Sequence, residues 1–166
     1  MRYCPYFCEE NVWHLCQDAS VGVPVAERSA VFISNRARAV AMRHQRAGAL
    51  VMWDYHVVMI ARGAVWDLDT TLGMPVPLAR YVDECFFDAG ELAPRFRVVD
   101  APTFIETFAS DRTHMEGTGR PYPAWGPIGA GMNLMRFVDV DDPFVGERLD
   151  RATFVASCAS TSSRGG

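Results

Sequence analysis

Residues 49–68 read ALVMWDYHVVMIARGAVWDL. From Ala49 to Ile60 the chain is rich in valine, aromatic and other apolar residues, and a second such run, Ala64 to Leu68, follows a break at Arg62-Gly63. Two runs of this kind around a short turn predict a β-hairpin. With Arg62-Gly63 as the turn, Ala61 faces Ala64, and counting outward His56 faces Asp69 and lies diagonal to Asp67. Moving the turn back by one residue makes His56 face Asp67 directly. In either register, side-chain alternation puts His56, Asp67 and Asp69 on one face; a three-residue loop would separate them.

Working outward, Ala30 to Ser34 is a short apolar run ended by Ser34-Asn35, hence a strand and a turn. Between Glu9 and Ala19, Val12, Leu15, Cys16 and Ala19 recur at three- and four-residue steps, and Glu9 and Glu10 occupy the first turn. That predicts a short amphipathic helix beginning near Cys8. Arg36 to Gln45 shows no decisive period. Pro77 suits the start of a helix of about three turns whose apolar face is Leu78, Tyr81, Val82, Cys85 and Phe86. Phe96 to Val99 reads as a strand, Pro102 to Phe108 as a short helix, and Gly117 to Gly131 as an irregular loop. Strands mixed with helices, without regular βαβ alternation, indicate an α+β fold, a mostly antiparallel sheet flanked by helices.

A chain of 166 residues with 49% hydrophobic and 22% charged residues suits one folded core rather than two. Residues 1–155 are expected to form that domain, and the small, polar ending from Ala156 to Gly166 a flexible tail. Sixteen basic against twenty acidic residues leave a net charge of −4, so no electrostatic grip on nucleic acid is expected. All the basic residues are arginine, which rules out lysine Schiff-base chemistry and a phosphate-binding P-loop. Met1 to Asn11 lacks the apolar run of a secretory signal, and Ala47 to Trp66 is broken by Asp54, His56 and Arg62, so no membrane partner is expected. Cys4, Cys8, Cys16, Cys85 and Cys158 are scattered and odd in number, which fits reduced thiols in the cytoplasm.

An imidazole bonded to a carboxylate has a set tautomer and a stabilised cation, as a base beside a nucleophile requires. Cys8 is the candidate nucleophile, because a thiol at a helix start feels the positive end of the helix dipole. Glu9 and Glu10 oppose its ionisation, so a histidine must supply the activation. Of His14, His44, His56 and His114, only His56 has a carboxylate partner in view. A histidine and an aspartate on a strand also make a satisfied polar pair without catalytic use. A zinc cluster of Cys4, Cys8, His14 and Cys16 lacks the usual paired spacing and is the weaker idea.

The strings themselves carry a resemblance. Phe7-Cys8-Glu9-Glu10-Asn11-Val12-Trp13, Val31-Phe32-Ile33-Ser34-Asn35, Trp53-Asp54-Tyr55-His56-Val57-Val58 and Asp67-Leu68-Asp69-Thr70 resemble, in order, segments of the protein N-terminal glutamine amidohydrolases. Phe96-Arg97-Val98, Phe108 to Met115, Pro121-Tyr122-Pro123 and Met132-Asn133-Leu134 are similar to its later motifs. The resemblance runs from about Tyr6 to Phe154. It implies a Cys-His-Asp triad of Cys8, His56 and Asp67 on a scaffold like the transglutaminase and papain-like core. The short hairpin turn, the abbreviated loop between Met115 and Pro121 and the ending after Phe154 depart from the family.

The reaction so implied is hydrolysis of an N-terminal glutamine side chain to glutamate and ammonia, through a thioester on Cys8, by a monomer with no metal or organic cofactor. Asp54, two residues before His56 and so about 7 Å away on one strand face, is the candidate for the substrate's ammonium. Glu9, Asp111 and His114 are further candidates for the mouth of the site. The alternatives are a related thiol hydrolase acting on internal glutamine or peptide bonds, and a non-catalytic module that binds N-termini.

Overall fold

The structure, a computed structural model, describes residues 1–87 and 90–162, with Glu91 and residues 158–162 described by their backbone alone. Strand β1 (Arg28–Ser34) is buried at every position but Ser29, as befits a strand covered on both faces. It pairs antiparallel with β4 (His56–Ala61) on one side and β7 (Arg95–Asp100) on the other. The six-stranded antiparallel sheet runs β6-β5-β4-β1-β7-β8, with β5 at Ala64–Trp66, β6 at Val76–Pro77 and β8 at Glu147–Leu149. The expected α+β architecture is therefore present.

Alternation along β1 and β4 divides the core. Ala30, Phe32, Val57 and Met59 face α1 (Cys8–Gln17), α3 (Ala101–Thr107) and α4 (Leu134–Val138). Val31, Ile33 and Val58 face α2 (Leu78–Cys85) and α5 (Arg151–Ser162). Phe32 stacks on Phe137 at 4.9 Å and meets Phe104 edge-on, while Phe96 stacks on Phe154 at 4.3 Å. Each such ring contributes about 1.5–3 kcal/mol by leaving water. Buried Arg97 ties down the segment after α4 by donating to the carbonyls of Phe137, Asp139, Asp142 and Val145.

The hairpin has the register expected with Arg62-Gly63 as the turn: Ala61 opposes Ala64, Ile60 opposes Val65 and Met59 opposes Trp66. Both turn residues have positive φ, 48° and 74°, which suits the right-handed twist of the strands. Two features differ from the reading. The run from Ala49 to Ile60 is divided: β3 (Gly48–Trp53) leaves the main sheet to pair with β2 (Val40–Gln45), and only β4 joins the hairpin. The division falls at Asp54-Tyr55, where the Asp54 carboxylate accepts the Tyr55 N–H and the Ser34 hydroxyl donates to the Asp54 carbonyl. The ladder also stops at Trp66, so His56 never reaches the position opposite Asp69; instead the Asp69 N–H turns back onto the Asp67 carboxylate at 2.9 Å.

Helix α2 buries the apolar face assigned to it but has about two turns rather than three, because Phe86 leaves the helix to bridge Met42. Ala156, where the tail was expected to begin, lies within α5, and residues 163–166 lie outside the described residues. Among the described residues, no helix is long and apolar enough to cross a membrane. Cys4, Cys8, Cys16 and Cys85 are free and buried; the Cys158 side chain lies outside the described residues.

Candidate active site

Cys8 is the first residue of α1, and the arm before it is tightly held. The Asn11 side chain accepts the Cys4 N–H and donates to the Cys4 carbonyl, both at 2.8 Å. Tyr6 takes a left-handed φ of 68°, rare for an aromatic residue, and is covered by Trp53 edge-on and by the Arg120 guanidinium at 3.3 Å. Phe7 precedes the helix without a side-chain cap, so the backbone N–H groups of the first turn have no such partner. The sulfur thus lies at the positive end of α1, as expected.

Cys8 and His56 line one cleft of about 370 Å³. His56 leads β4, and its Nε2 donates to Asp67 Oδ1 at 3.0 Å. That bond leaves Nδ1 as the ring nitrogen available for proton transfer. The Asp67 carboxylate also accepts from the Tyr81 hydroxyl at 2.8 Å, Gln45 Nε2 at 3.3 Å and the Asp69 N–H at 2.9 Å. Burial disfavours the charged form of each partner, yet mutual attraction wins: the imidazolium is favoured above its ordinary range and the carboxyl held below its own. Of the two aspartates the hairpin left open, Asp67 holds the ring, while Asp69 lines the cleft and accepts the Tyr3 hydroxyl at 2.6 Å.

Cys8 contrasts with this pair. Burial, then the Glu9 charge, push its thiol well above the ordinary range, opposed by the Val57 N–H. In this resting state the thiol donates to Glu9 Oε2 at 3.6 Å.

The other sequence candidates are placed as follows. Glu9 and Glu10 stand in the first turn of α1, as expected, and are fully buried. Asp54 lines the cleft, exposed, with one oxygen on the Tyr55 N–H. His114 also lines the cleft, whereas exposed Asp111 turns onto Thr113. His14 packs between Trp13 and Trp125, and His44 lies 4.0 Å from Glu84. Among the described residues, the potential metal ligands that converge within 4.8 Å are His56, Asp67 and Asp69, not the Cys4, Cys8, His14 and Cys16 set. Asp67 there is already engaged by its hydrogen-bond donors.

Sequence reasoning overlooked Tyr81 and Gln45, which brace Asp67, and the bond from Tyr55 to Glu9. Tyr81 had been counted only as apolar; a tyrosine on a buried helix face signals a partner for its hydroxyl.

The model of the N-terminal glutamine amidase family matches residues 3–158. The chain belongs to this family. It is 38% identical to the protein N-terminal glutamine amidohydrolase of Arabidopsis thaliana over 94% of this chain and 83% of that protein. It is 36% identical to the protein of that name from Bos taurus, over 87% and 79%, and 39% identical to that from Drosophila melanogaster, over 80% and 74%. Membership of the N-terminal glutamine amidase family thus covers the helix bearing Cys8, the hairpin and the Asp67 turn together.

Proposed function

We propose that this chain hydrolyses the side-chain amide of an N-terminal glutamine in peptides or proteins, leaving glutamate and releasing ammonia. The observation that carries the reading is the buried His56–Asp67 pair, at 3.0 Å, opening onto the same cleft as Cys8. The Cys8 proton passes to His56 Nδ1, and the sulfur attacks the carboxamide carbon. The oxyanion is met by N–H groups at the start of α1, that of Cys8 among them. Collapse breaks the C–N bond as the imidazolium gives its proton to the departing nitrogen, and ammonia leaves a thioester. Water then attacks the thioester carbon, losing its proton to Nδ1, and the second collapse frees the glutamate carboxyl and returns the proton to sulfur. Asp67 keeps the ring oriented throughout.

A thiol at a helix start beside a histidine and an aspartate on an antiparallel sheet also supports a likeness to the transglutaminase and papain-like core. Asp54 and Asp69 on the cleft wall give the opening a negative field that attracts a charged chain terminus. Thr118 and Arg120, from the abbreviated loop, line the cleft too, so that loop bears on the choice of substrate.

The test is mass spectrometry of a Gln-leading peptide with and without N-terminal acetylation. The free peptide is expected to gain one mass unit and the acetylated one to stay unchanged. Cys8→Ala is expected to abolish ammonia release. Equal turnover of both peptides would indicate an internal-glutamine deamidase, and undiminished activity in the variant would remove the mechanism.

A further inference from the structure

Glu9 is fully buried, and its two oxygens are treated unequally. Oε2 accepts from the Tyr55 hydroxyl at 3.1 Å and from the Cys8 thiol at 3.6 Å. Oε1 has no hydrogen bond. His114 Nε2 lies 3.4 Å from Oε1 but out of line for a hydrogen bond, and neither nitrogen of that ring has a partner. Cys8, Tyr55 and His114, the residues around this carboxylate, all line the cleft.

A buried carboxylate without a hydrogen-bonded cation is costly. Glu9 is costly a second time, since its charge works against ionisation of the neighbouring nucleophile. One event removes both penalties: the arrival of a cation at Oε1. In a bound glutamine the α-nitrogen lies four bonds from the carboxamide carbon, about 4–5 Å by standard bond lengths. With that carbon at the sulfur, the ammonium falls within reach of a carboxylate that touches the sulfur. His114, edge-on to Phe7 and with neither ring nitrogen hydrogen-bonded, is the cleft residue that stands at Oε1.

We propose that Glu9, rather than the exposed Asp54, is the residue that reads the substrate's free α-ammonium. This rests on the N-terminal glutamine reading above. Its consequence is that recognition and activation are one step. While no ammonium sits at Glu9, Cys8 stays a thiol; when one arrives, the sulfur yields its proton more readily to His56. An acetylated terminus carries no charge and unlocks nothing. Asp54, in water, offers only a weak, salt-screened ion pair, too little to discriminate.

The test compares the unmodified protein with Glu9→Gln, which keeps an acceptor for the Tyr55 hydroxyl. The kcat/KM on a free Gln-leading peptide is expected to fall about 100-fold, the scale of a buried charge contact. Without peptide, alkylation of Cys8 by iodoacetamide, located by mass spectrometry, is expected to rise about tenfold at neutral pH, one pKa unit's worth. Unlabelled Cys4, Cys16 and Cys85 report that the variant is folded. Glycinamide, an ammonium without a side chain, is expected to speed Cys8 alkylation in the unmodified protein but not in the variant, and N-acetylglycinamide in neither. A kcat/KM within about fivefold of the unmodified protein, the scale of an exposed pair, would overturn the proposal. So would alkylation of Cys8 no faster in the variant, or unresponsive to glycinamide in the unmodified protein. Alkylation needs no turnover, so it separates failure of this proposal from failure to hydrolyse glutamine.

Discussion

Glu9 and Glu10 are neighbours on the first turn of α1 and equally inaccessible, yet the fold treats them in opposite ways. Glu10 is gripped at both oxygens by the Arg112 guanidinium, at 2.9 and 2.8 Å, and again by the Trp125 indole N–H at 2.7 Å. Arg112 in turn donates to the carbonyls of Trp125 and Gly126. Glu9 keeps one buried oxygen without a hydrogen bond, behind the cleft residues Cys8, Tyr55 and His114. Asp67 belongs with Glu10, every donor around it being spent on it. A saturated carboxylate holds structure, whereas an unsatisfied one is costly where it stands.

The sharpest way to break this contrast is Arg112→Ala. It strands Glu10 as a lone buried charge and is expected to cost about 3–5 kcal/mol in denaturant unfolding. If stability is unchanged, Glu10 is not the structural member of the two. Tyr81→Phe removes one donor from Asp67, with an expected loss of about 1–2 kcal/mol and a lowered kcat as the ring loosens; no effect on either quantity would show that Asp67 does not depend on its bracing.

The pair formed by His56 and Asp67 sharpens the contrast through pH. A histidine favoured as the cation in the fold stabilises fully below its ordinary value of 6.5, and that stability is lost as pH rises through the higher folded value. An aspartate whose pKa is lowered stabilises above its ordinary value of 3.8, and loses this as pH falls through the lower folded value. The stability advantage over Asp67→Asn is therefore expected to be greatest between those two ordinary values and to shrink as pH rises above 6.5 in unfolding titrations. An advantage that grows with pH in that range would contradict the assignment. The smallest loss is at Glu9 itself: Glu9→Gln is expected to lose no stability and to gain some, because it removes a buried charge to which no cation is hydrogen-bonded. A loss as large as that of Arg112→Ala would make Glu9 a second structural carboxylate.

Much of this was legible locally. The period of Val12, Leu15 and Cys16 placed α1, one of the two turn positions weighed, Arg62-Gly63, gave β4 and β5 their observed register, and the face from Leu78 to Phe86 placed α2. The division of the run from Ala49 to Ile60 was not legible, because β3 and β4 are both continuous apolar runs while their partners, β2 and β1, lie elsewhere in the chain. Nor was the unequal fate of Glu9 and Glu10 visible, since Arg112 and Trp125 are about a hundred residues away.

By itself, then, the sequence determined the α+β class, the helices at Cys8 and Leu78, a hairpin with two turn positions left open, and the chemical types available, since these follow from periodicity and turn geometry within a few residues. Spacing left Asp67 and Asp69 open and only the family resemblance pointed to Asp67; tertiary structure showed that Asp67 bonds His56 and decided that Glu10 is hydrogen-bonded by a guanidinium while Glu9 has no hydrogen-bonded cation. Hydrogen-bond satisfaction depends on which distant donors are brought within about 3 Å, and no local pattern encodes that.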